Sequence, residues 1–154
     1  MSDLRELYQE VILDHGQRPR NFHAVEGATA DAEGFNPLCG DKVHVWIAQD
    51  GDTLTDVGFT GEGCAISKAS ASLMTQAVKG RSVAETEHLF EGFHALITGQ
   101  AAGATAAEDL GKLTVFAGVA EFPVRVKCAS LAWHTLKAAL ARGRTDAGSP
   151  VTTE

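Results

Sequence analysis

The chain has 154 residues, 44% of them hydrophobic, and a formal net charge of -7, which supplies enough apolar material for one domain with its own core. Its acidity argues against the basic, phosphate-tracking face of a nucleic-acid binder, and no apolar run approaches the roughly 20 residues of a membrane span. Nor does an apolar stretch follow a basic start, so the expected location is the cytoplasm, with neither nucleic acid nor membrane as a partner.

Leu4, Leu7, Tyr8, Val11 and Ile12 recur at helical spacing behind a Ser2 or Asp3 cap, which predicts an amphipathic helix over 3–14, ending before Gly16 and Pro19. Residues 28–33 read as an edge strand. Positions 42–49 are rich in β-branched and aromatic side chains, Asp50-Gly51 is a turn signal, and 53–60 resumes the extended pattern; together they predict an antiparallel hairpin. Ile66, Ala69, Leu73, Ala77 and Val78 then suit a helix over 65–78, closed by Lys79-Gly80. A second helix is expected over 82–97, a loose small-residue connection over 99–107 and a short helix over 110–119. The last helix starts at Pro123 and carries Cys128, Leu131, Ala132, Thr135, Leu136 and Ala139 on one face. The polar end reads as a flexible tail over 143–154, leaving a single domain over 1–142. Helices gathered against a small antiparallel sheet make the expected class α+β, with about three strands and about five helices.

Three cysteines cannot all pair within one molecule, and a chain without a secretion signal keeps its thiols reduced, so metal binding or thiol chemistry is favoured over a disulfide framework. Asn36-Pro37-Leu38-Cys39-Gly40-Asp41 and Gly61-Glu62-Gly63-Cys64-Ala65-Ile66-Ser67 place two of them in glycine-bracketed turns. Cys39 precedes the first hairpin strand and Cys64 follows the second, so antiparallel pairing brings the two together. Cys64 would also stand at a helix N-terminus, whose dipole and free N–H groups favour a thiolate, while Cys128 follows the cations Arg125 and Lys127. If the last helix reaches the open end of the hairpin, Cys39, Cys64, Cys128 and the Asp41 carboxylate form a four-ligand set suited to tetrahedral zinc. Thiolate-rich sites also take iron-sulfur clusters, and this donor set admits both. One carboxylate among sulfurs is the harder and more exchangeable ligand, so such a site can open, whereas a closed zinc knot would show paired C-x2-C spacing.

Plainer readings exist for each residue. Any one cysteine fits burial as a small hydrophobe, Cys128 most of all, and Asp41 fits a turn carboxylate. His44 and His134 read as packed or surface residues, and Trp46 and Trp133 as packing residues. Ser67, Ser70 and Ser72 lack the G-x-S-x-G elbow of a serine hydrolase.

Taken with Ala69-Ser70-Ala71-Ser72, Lys127-Cys128-Ala129-Ser130-Leu131-Ala132-Trp133, Asp14-His15 and Pro19-Arg20-Asn21, the two cysteine motifs resemble the U-type iron-sulfur cluster assembly family and, within it, the SufU type. The likeness runs from about Leu4 to Leu140. The related IscU type has a histidine immediately before the third cysteine and a shorter segment ahead of it; here that residue is Lys127, and the segment 79–107 is long. The resemblance implies an α+β fold whose three cysteines and aspartate meet at one exposed end. It further implies a zinc-dependent sulfurtransferase taking persulfide sulfur from a SufS-type cysteine desulfurase, with downstream Suf scaffold proteins as further partners. By the same resemblance Cys39 is the catalytic sulfur acceptor, and Cys39, Asp41, Cys64 and Cys128 bind the zinc. Scaffolding of an iron-sulfur cluster is the alternative. Arg125 and Lys127 are candidates for partner docking by position and charge.

Overall fold

The computed structural model describes residues 2–37, 40–98, 113–116, 123–145 and 151–152. In chain order these form α1 (Ser2–Gln17), β1 (Ala30–Asn36), β2 (Asp41–Asp50), β3 (Thr53–Glu62), α2 (Ala65–Val78), α3 (Val83–Ile97), α4 (Pro123–Thr145) and β4 (Val151–Thr152). The fold is α+β. A single turn of 3-10 helix at 113–116 lies where a longer helix was expected; the rest of 110–119, and all of the 99–107 connection, fall outside the described residues.

Asp50-Gly51 reverses the chain, so β2 and β3 pair antiparallel from Asp50↔Thr53 back to Lys42↔Glu62, with a bulge at Ala48/Gln49. β1 pairs antiparallel with the other edge of β2, Ala30↔Ile47 through Asn36↔Asp41, giving the sheet order β3-β2-β1-β4. Alternation then sorts the side chains. Val43, Val45 and Ile47 point inward with Ala32, Leu54, Val57 and Phe59, and all are buried against the helices. His44 and Trp46 lie on the opposite face, stacked with ring centroids 3.8 Å apart, and His44 Nε2 is 2.5 Å from Asp31 Oδ2. Trp133 is a core residue, stacked on Phe93 at 4.8 Å.

Three boundaries differ from the sequence-based expectation. α1 continues through Gly16 to Gln17, and the Arg18 N–H still reaches Asp14 O at 2.8 Å. One glycine costs a helix only about 1 kcal/mol relative to alanine, whereas the following proline cannot be accommodated. β1 covers Ala30–Asn36 and is flanked by β2 and β4, so it is not an edge. Finally, α4 extends to Thr145, and Val151–Thr152, from the segment expected to be a flexible tail, pairs parallel with β1 through Gly34↔Val151 and Phe35↔Thr152.

Polar contacts fix the end of α1 and the segment after it to α2. His15 Nδ1 and Ser72 Oγ are 2.7 Å apart, the Arg20 N–H donates to the same hydroxyl at 2.8 Å, and Asn21 Nδ2 donates to Thr75 Oγ1 at 3.0 Å. The serines of α2 are therefore structural: Ser67, Ser70 and Ser72 are all buried. α4 lies directly on β1, where a Cβ at Gly34 would collide with Thr135 Oγ1, itself tied to Leu131 O at 2.8 Å. Gly34→Ala should therefore cost about 1–3 kcal/mol of stability through overpacking, read as a lower urea midpoint at unchanged slope; an unchanged midpoint would contradict this packing.

Candidate metal centre

Asp41 is the first residue of β2, and the alternation that buries Val43, Val45 and Ile47 turns its carboxylate inward too, where it is 0% exposed. Oδ1 accepts the backbone N–H of Cys64 at 2.9 Å, and Oδ2 lies 3.8 Å from Cys64 Sγ. This approach depends on Gly63, whose φ of +146° is a conformation reserved for glycine and whose Cβ, if present, would collide with Asp41 Oδ1.

Cys64 is the N-cap of α2, with φ -74° and ψ 164°, and its sulfur accepts the Ser67 N–H at 3.4 Å. A thiol thus occupies the place a serine or aspartate hydroxyl or carboxylate usually takes at a helix start, and meets N–H groups that have no partner inside the helix. Cys128 comes from the second turn of α4 and is 2% exposed. Its helix is held to α2 by Ser70 Oγ, which donates to Ala129 O at 2.5 Å. One ligand atom from each of Asp41, Cys64 and Cys128 falls within 4.8 Å of the others, the only such group of three or more His, Cys, Asp or Glu side chains among the described residues.

The donor chemistry and spacing suit zinc. With bonds of roughly 2.3 Å to sulfur and 2.1 Å to oxygen, tetrahedral geometry sets sulfur and oxygen about 3.6 Å apart and two sulfurs about 3.8 Å apart. The 3.8 Å between Cys64 Sγ and Asp41 Oδ2 is within a few tenths of that span. Asp41 and Cys128 are buried while Cys64 is exposed, so the group is reached from the Cys64 side. Arg125 and Lys127 sit on the first turns of α4, exposed and half-buried respectively. Cys39 lies outside the described residues, but its flanks are joined: Gly40 N–H donates to Asn36 O at 2.8 Å.

His44 and His134 belong to other surroundings. His134 lies against Phe90, and burial, followed by His94 and Lys137, holds its pKa below the ordinary imidazole value. Two residues that shape the centre were not singled out by the sequence reasoning. Gly63 looked like one glycine of a turn, although its place immediately before a ligand was a usable signal; Asn36 was quoted only as part of the Cys39 motif, and nothing local marks it as buried.

Residues 7–129 match the model of the NifU-like N terminal domain. The chain belongs to the NifU-like N terminal domain family. It is 41% identical over 142 residues to the iron-sulfur cluster assembly scaffold protein IscU of Streptococcus pyogenes serotype M1, covering 92% of this chain and 87% of that one. It is 38% identical over 141 residues to the zinc-dependent sulfurtransferase SufU of Bacillus subtilis (strain 168), with 92% and 94% covered. Among solved structures, a putative iron-sulfur cluster assembly scaffold protein for the SUF system from Fervidobacterium islandicum AW-1 superposes with a TM-score of 0.80 at 34% identity, covering 85% of this chain and 94% of the other. The U-type resemblance and the α+β fold expected from the sequence are both borne out for this NifU-like chain.

Proposed function

We propose that the chain is a zinc-dependent sulfurtransferase of iron-sulfur cluster assembly, accepting persulfide sulfur on Cys39 from a SufS-type cysteine desulfurase in the cytoplasm. The observation that carries this reading is the convergence of Asp41, Cys64 and Cys128 within 4.8 Å at the end of the sheet where β1 leads into β2. Kinship with U-type proteins supports the general role in cluster assembly, and the name of the Bacillus relative supports the particular one. Among the described residues no helix is long and apolar enough to cross a membrane.

In this reading Asp41, Cys64 and Cys128, together with Cys39, hold one zinc ion. When bound, zinc would keep the sulfurs ionised yet shielded until a partner displaces one of them. The Asp41 carboxylate is fixed by the Cys64 N–H at 2.9 Å, so this oxygen ligand is already oriented. Cys39 thiolate then attacks the outer sulfur of the donor's persulfide: a new S–S bond forms to Cys39, the donor's S–S bond breaks, and the donor cysteine leaves as a thiolate. The balance needs no external oxidant, because the transferred sulfur arrives at the persulfide oxidation level. Arg125, exposed on the first turn of α4 three residues before Cys128, is the candidate for contact with the donor protein in this reading.

Scaffolding of an iron-sulfur cluster is the second reading, favoured by the name of the Streptococcus relative. Lys127 before Cys128, where the IscU type has histidine, favours sulfur transfer. Mixing the protein with a cysteine desulfurase and cysteine without oxygen separates the two. Sulfur transfer predicts one added sulfur atom on Cys39 in the mass spectrum of a colourless, zinc-containing protein; a brown iron-sulfide chromophore with no persulfide would overturn it in favour of scaffolding.

A further inference from the structure

Asn36 ends β1 with 0% exposure. Its side-chain Nδ2–H donates to Cys128 Sγ across 3.9 Å, its backbone carbonyl accepts the Gly40 N–H at 2.8 Å, and it stands opposite Asp41 in the β1–β2 ladder. One residue therefore touches Cys128, faces Asp41, and joins the two flanks of Cys39.

The two described sulfurs are treated differently. Cys64 Sγ accepts a backbone N–H from Ser67 at 3.4 Å and belongs to an exposed residue. Cys128 Sγ is met by a side-chain amide in buried surroundings. An N–H directed at a thiolate draws charge from the sulfur, and away from water it does so more strongly. A metal-bound sulfur so treated is a poorer nucleophile, and its orientation is fixed by the residue behind it.

We propose that Asn36 is a positioning residue whose amide makes Cys128 the retained sulfur ligand, so that a sulfur leaving the metal for chemistry is drawn from elsewhere in the set. This rests on the reading of the site as a metal centre. It does not require that the sulfur acceptor be Cys39.

Asn36→Leu keeps the volume and removes the donor; Asn36→Ala removes both. In each zinc-loaded variant, release of zinc to a chromogenic chelator should be roughly 10- to 100-fold faster than in the parent, the usual effect of losing a group behind a ligand. In the cobalt(II)-substituted variants the sulfur-to-metal charge-transfer band should move to lower energy, a readout that altered packing alone does not shift. The parent gives an independent measurement: with cadmium-113 in place of zinc, the Asn36 side-chain amide proton should show a scalar coupling to the metal through the sulfur. Release within about twofold of the parent, faster release with an unmoved band, or an uncoupled amide proton would each overturn the assignment. These readouts use no sulfur donor, so failure of sulfur transfer would leave them standing. A parent that binds none of these ions would end both the metal centre and this role.

Discussion

The Cys39→Ser protein should accept no sulfur from a cysteine desulfurase, and its stimulation of desulfurase turnover should fall to the level measured with no acceptor present. A serine hydroxyl is not ionised near neutral pH and does not exchange with a disulfide-type sulfur, so the bond-forming step has no nucleophile. The rest of the centre is not assembled by Cys39. Asp41 is buried and fixed by the Cys64 N–H at 2.9 Å, Cys64 caps α2, and Cys128 is carried on a helix packed against β1. Without metal, the variant should therefore fold and melt like the metal-free parent, while intact-mass measurement after mixing with desulfurase and cysteine detects no added sulfur. Full sulfur loading of this variant would remove Cys39 from the role proposed for it.

A comparable loss is expected from a residue that carries no functional group. Gly63→Ala places a methyl group against Asp41 Oδ1 at a backbone φ of +146°, which an alanine reaches only with strain. Either the carboxylate moves off the Cys64 N–H or the turn carrying Cys64 moves away from Asp41, and both break the spacing that suits a tetrahedral ion. Zinc affinity should drop by roughly 100-fold, at the upper end of what losing support around a ligand costs. The core should tolerate the change, since Gly63 is exposed and follows the last residue of β3. Competition with a chelator of known affinity gives the first quantity and thermal denaturation of the metal-free protein the second. Parent-like zinc affinity in this variant would show that the Gly63–Asp41 contact does not shape the centre.

What the sequence made legible was what short-range chemistry decides. Asp50-Gly51 specified the hairpin, the Ile66 to Val78 periodicity with Lys79-Gly80 bounded α2, and the helix expected over 82–97 is α3, whose start the structure shows closed by a capping box, Glu85 N–H to Ser82 Oγ at 3.1 Å. Hairpin pairing also foretold that the stretches before β2 and after β3 would be neighbours, and there Asp41 and Cys64 are in contact. Long-range contacts were less visible. The amide of Asn36 meets Cys128 across 92 positions of chain, and no periodicity or spacing encodes that pairing. Gly34 lies just beyond the strand expected over 28–33 and drew no reading, yet its missing side chain is what lets Thr135 and α4 settle on β1. β4 was missed because a two-residue strand has no pattern of its own and exists only by pairing with Gly34 and Phe35.

The most direct test of the account is X-ray absorption at the zinc edge, with metal analysis, on protein purified without oxygen. The account predicts one zinc per chain bound by three sulfurs at about 2.3 Å and one oxygen at about 2.0–2.2 Å, with the oxygen shell altered in Asp41→Ala and one sulfur lost in each of Cys39→Ser, Cys64→Ser and Cys128→Ser. Iron and sulfide in place of zinc, or a zinc shell that none of these four substitutions changes, would contradict it.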